Sequence, residues 1–164
     1  MSNSWRTAWQ GQDIVVFRDE VEVDRINAEQ IQRVVFVHAG TGESPGDLQY
    51  AVVDTPTDCI VLPAETGFAG RINFERTDYW AARGCVYWAP QSRVTLPMRM
   101  RRGRWLRLGA GPAYTRVSRG ELAPLIDQWP LEGPQTWEQR KWRRIERSRP
   151  FSGHDDDPVH KARA

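Results

Sequence analysis

Cysteine is scarce: Cys59 and Cys85 are the only two in 164 residues. They form no CxxC pair and no ligand spacing with His38, His154 or His160, which excludes a disulfide framework and a zinc-ribbon pattern. Lysine is equally rare, at Lys141 and Lys161. The other cations are arginines, the better forks for carboxylate and phosphate. Apolar runs never exceed a few residues, far short of the roughly 20 needed to span a bilayer. The first residues, Met1 to Arg6, lack the basic and then apolar regions of a secretory signal. A cytoplasmic protein with both thiols free is expected.

Catalytic motifs are missing as well. No G-x-S-x-G elbow offers a nucleophile. Residues 39–47, Ala-Gly-Thr-Gly-Glu-Ser-Pro-Gly-Asp, invite a phosphate-loop reading. They lack its lysine and metal-binding hydroxyl, and Glu43 and Asp47 would repel a phosphate. His38 ends an apolar run, where a satisfied, partly buried histidine is expected. His154, Asp155, Asp156, Asp157 and His160 could ligate a metal, but nothing in that tail would fix their geometry. No cofactor and no metal are expected.

What the chain does have is a globular composition, with 40% hydrophobic and 27% charged residues, enough for one domain with its own core. Eight tryptophans are expected to serve mainly in packing. Charge is segregated. Residues 1–78 hold six arginines against thirteen acids, and residues 79–120 hold nine arginines and no acid. Two layers that neutralise one another would account for this.

The first third reads as a β-meander. Trp5–Trp9 and Ile14–Phe17 flank a Gly11 turn, and Val21-Glu-Val-Asp24 alternates so that valines share one face and acids the wet one. Asn27–Gln30 could open a helical turn, while Val34–Val37 is a β-branched strand. A hairpin follows, Leu48–Asp54 against Asp58–Leu62 around Pro56. Thr77 and Gly84 bracket a short helix, and Cys85–Ala89 is the next strand.

Residues 93–108 alternate again. A three-residue loop, Arg101-Arg102-Gly103, would turn Val94, Leu96, Met98, Met100, Leu106 and Leu108 toward the core. Arg99, Trp105 and Arg107 are then left together outside. Such a trio can stack internally or grip an anionic partner. Ser118 and Glu121 match a capping box before Leu122, Leu125, Ile126 and Trp129, and Pro124 should split that segment. Thr136 and Gln139 match a second, opening a helix to about residue 147. Trp137 and Trp142 are its expected anchors, and Arg140, Arg143 and Arg144 its candidate binding cations. Residues 151–164 are expected to be a disordered tail on a single domain spanning 1–150.

The expected fold class is mainly β, an antiparallel meander, roll or barrel with a short internal helix and C-terminal helices. In element order, residues 5–130 loosely resemble the pleckstrin-homology-like rolls, which implies a bent antiparallel sheet closed by a helix. The functional reading is a non-catalytic interaction module. It would act through the basic, aromatic hairpin face and the basic C-terminal helix, on another protein with an acidic surface. The alternatives are a nucleic-acid-binding accessory protein and a small enzyme whose site the sequence does not display.

Overall fold

The chain begins as a meander. Strands β1 (Trp5–Gln10), β2 (Asp13–Arg18) and β3 (Val21–Asn27) pair antiparallel in sequence order. The computed structural model describes residues 4–63, 82–100, 112 and 114–148. Asp19 and Glu20 take φ of 50° and 67°, joining β2 to β3 by a two-residue loop whose hand matches strand twist. Arg6 and Glu20 pair across the head of that loop.

The valines of β3 do not take the inward face expected of them: Val21, Glu22 and Val23 are all exposed. Val16 faces Asp24 and Phe17 faces Glu22, so Val23 is an unopposed bulge residue. Ile26 sets the inward face, which turns Asp24 inward with it. Val21 and Val23 are left 64% and 44% exposed. A shift of one residue exchanges the two faces of a strand, and the buried isoleucine decides the phase.

The second sheet contains β4 (Arg33–His38), β5 (Leu48–Asp54), β6 (Asp58–Pro63), β7 (Val86–Pro90) and β8 (Thr115–Ser118), in the order β7-β4-β5-β6-β8. Its central strands are apolar at nearly every position because the sheet is covered on both faces. On one side Val34, Phe36, Val53, Ile60 and Trp88 meet Ile14, Val16 and Ile26 of the meander. On the other, Val35, Val52, Cys59, Val61 and Val117 meet Leu122, Ile126 and Trp129. Helix α1 (Arg119–Ile126) carries the first two of these last three. The result is three layers: small sheet, large sheet and helix. It is the mainly β, α+β class read from the sequence.

Pairing departs from an all-antiparallel meander at one place. β7 lies parallel to β4, with Phe36 beside Trp88 and His38 beside Pro90. The carboxyl ends of both strands therefore open at the same edge of the sheet.

Residues 93–100 also differ from expectation. They form no strand: 91–93 and 98–100 are single 3-10 turns around an irregular stretch containing Pro97. Proline withholds a ladder donor, and the turns still deliver Leu96 and Met100 to the core. α1 runs through Pro124 without splitting. The Ser118 hydroxyl makes no cap there, and Glu121 pairs with Arg99 instead. In helix α2 (Trp137–Ser148) the second capping box does form. Gln139 N donates to Thr136 Oγ1 (3.3 Å) and Thr136 N to Gln139 Oε1 (2.9 Å).

Among the described residues, two arginines of the basic segment, Arg116 and Arg119, pair with acids of the first third. Arg116 of β8 reaches Asp24 and Asp58, Arg119 reaches Asp54, and Arg144 reaches Glu43. Asp54, 2% exposed, is gripped from both sides by Arg33 Nε and Arg119 Nε, each at 3.0 Å. No helix among the described residues is long and apolar enough to cross a membrane. The expected tail, 151–164, lies outside the described residues.

Candidate functional site

The free edge of β7 fixes where α2 sits. Residues 131–136 run along that edge: Trp88 N donates to Glu132 O (2.9 Å), Glu132 N to Trp88 O (2.7 Å) and Gln135 N to Val86 O (2.8 Å). The Trp88 indole N–H closes on Gln135 O at 3.0 Å. An exposed sheet edge is thus covered by the segment that leads into the helix.

Arg140 anchors α2. Its Nη2 donates to His38 Nε2 at 3.3 Å, its Nε to Glu132 at 3.2 Å, and its guanidinium lies 5.2 Å from the Trp88 ring centre. Only 12% of that side chain is exposed. Its neighbours one turn on are tethered too, Arg143 Nη1 to Gln135 Oε1 at 2.9 Å and Arg144 to Glu43. Burial disfavours the Glu132 carboxylate, but Gln135 and the Arg140 charge outweigh it and hold the carboxyl below its ordinary range.

His38 is sealed beneath this helix. Its Nδ1 faces the carbonyls of Ala39 (3.2 Å) and Gly40 (3.1 Å), which can only accept, so Nδ1 carries the hydrogen and Nε2 accepts from Arg140. Gly42 closes the other side at φ +76°, where a Cβ would stand 2.7 Å from the imidazole. The glycine-rich segment is therefore a cover for a histidine, not a phosphate cradle. Burial, first, and the Arg140 charge push the His38 pKa below its ordinary value, against backbone hydrogen bonds that raise it.

The tryptophans divide. Trp137 packs against the core between the sheets, with Lys141 5.0 Å from its ring. Trp142 does not anchor the helix; it is 57% exposed. At 100° per residue it lies far round the helix from Arg140, with Glu138, Ile145 and Glu146 as neighbours at i−4, i+3 and i+4. The expectation of two apolar anchors fails because Arg140 takes the inward position, where His38, Glu132 and Trp88 all offer it partners.

Arg99 is exposed beside Glu121, on the α1 side of the large sheet. The structure does not bring it to Arg140, Arg143 and Arg144. Trp105 and Arg107, its expected companions, lie outside the described residues. Sequence reasoning passed over Glu132 and Gln135; the only signal was their position between Pro130 and the capping box.

No group of His, Cys, Asp or Glu among the described residues could hold a metal ion. Burial and the neighbouring Asp54 push the Cys59 thiol up to about 12, and burial also raises Cys85, so neither is a ready nucleophile. No protein-family model matches the chain, and no curated protein or solved structure matches it.

Proposed function

We propose that the chain is a non-catalytic interaction module whose contact surface is the exposed part of α2, centred on Trp142, with the exposed side chains of Arg143 and Arg144 farther round the helix. The exposure of Trp142 carries this reading. A tryptophan left in water on an otherwise well-anchored helix is a good anchor for a partner, and tryptophan and arginine are enriched among the residues that dominate interface energies. The tethers to Gln135 and Glu43 hold both guanidiniums in place, which lowers the ordering cost of binding.

Five cations against two acids along α2, together with the exposed indole, favour a partner with an acidic, partly apolar surface. Arg99, on the α1 side, belongs to a second proposed contact, the basic hairpin face, whose Trp105 and Arg107 lie outside the described residues. The test compares the protein with Trp142→Ala and with Arg143→Glu/Arg144→Glu, by melting and by capture from lysate of the cells that make it. Capture lost with melting intact supports the module. Tight oligonucleotide binding that weakens steeply with salt would replace it with the nucleic-acid reading.

A further inference from the structure

The contact that holds α2 in place can exist in only one protonation state of His38. The imidazole is 4% exposed. Its Nδ1–H is committed to Ala39 and Gly40, and its Nε2 lone pair receives Arg140 Nη2. A proton on Nε2 removes that acceptor and puts two cations about 3 Å apart with little water between them, a strongly repulsive arrangement.

We propose that His38 is a proton-sensitive latch: protonation expels Arg140 and releases α2, so that a fall in pH withdraws the docked, ordered form of the helix that a partner meets. This rests on α2 as the contact element. Other charges surround the ring. Glu132, from the segment beside β7, faces both His38 and Arg140 and, among the described residues, is the carboxylate that partly offsets the repulsion. Glu43, on the covering loop, is occupied by Arg144, and Asp47 receives the Ala39 amide through its main-chain oxygen. Glu132 already serves Arg140, so it cannot neutralise both cations.

The sign follows from linkage. The His38 pKa is lowered in the docked state relative to the ordinary 6.5 that it regains when exposed. Docking is therefore fully stable above pH 6.5 and weakens as pH falls below it, where only the released state takes up the proton. Between pH 7.5 and 5.5 the opening equilibrium of α2 should rise by up to about tenfold.

Hydrogen exchange of the full chain, corrected for intrinsic pH dependence, reads this directly. Peptides from 137–148 should lose protection at pH 5.5 by up to about tenfold while peptides from 48–54 keep theirs. His38→Gln offers an acceptor that does not titrate and should abolish the change. If that variant does not fold, His154→Ala/His160→Ala decides, because it leaves His38 as the only histidine. A change retained there supports the latch, and a change lost overturns it. Equal protection of α2 at both pH values in the unaltered protein, or a change that survives His38→Gln, also overturns it. No partner enters the measurement, so its failure would leave the module reading standing, and loss of partner capture would not touch the latch.

Discussion

Arg116 and Asp24 join the edge strands of the two sheets by a two-pronged contact, Nε to Oδ2 and Nη2 to Oδ1, both at 2.9 Å. Arg116 also reaches Asp58 on the neighbouring strand at 2.8 Å. Forked contacts of this kind are the stronger ones. Arg116→Ala should lower stability by about 1–2 kcal/mol, read by chemical denaturation, since it leaves two part-buried carboxylates unpaired. Arg116→Lys should recover only part of that, because lysine cannot fork.

Asp54 is the more deeply placed acid. Its removal leaves the part-buried Arg33 with Asp127 as its remaining carboxylate and takes the acceptor from the Cys59 thiol. Asp54→Ala should cost on the order of 3 kcal/mol, whereas Arg119→Ala, at the exposed side of the same carboxylate, should change melting little.

The Cys59 thiol makes alkaline stability predictable. Its pKa rises from 9.0 to about 12 in the folded chain. Stability from this group is full below pH 9 and falls as pH climbs from 9 toward 12, where the unfolded thiol ionises and the folded one does not. Alkylation of Cys59 at pH 8 should proceed only as fast as the protein opens.

Gly42 sits where no other residue fits. Gly42→Ala combines a positive φ with a Cβ driven into His38, and should cost about 2 kcal/mol or more. The loss should appear first as faster exchange in α2, because Arg140 is held through that ring.

The sequence showed the parts of the fold that follow local rules. The hairpin at Asp54–Asp58, the Gly84 stop and the Thr136 cap each rest on a few adjacent residues with one physical use. Pairing across distance was not legible. Nothing in Cys85–Pro90 says that its neighbour is Val34–His38 and that they run parallel. Periodicity misled at Leu96, Met98 and Met100, because an irregular stretch and the turn after it bury Leu96 and Met100 as a strand would. In α2 apolar pattern pointed to Trp142 as an anchor, yet the inward place belongs to Arg140. Its partners lie at positions 38, 88 and 132, and only the fold gathers them.

The most direct test of the central claim is a photo-crosslinking amino acid placed at position 142 in the cells that make the protein, with position 29 as an exposed control. An interaction module that binds through the exposed part of α2 should give a discrete protein adduct from position 142, absent from position 29 and lost when Arg143→Glu/Arg144→Glu is added. No adduct at position 142, or the same adducts from both positions, would contradict it.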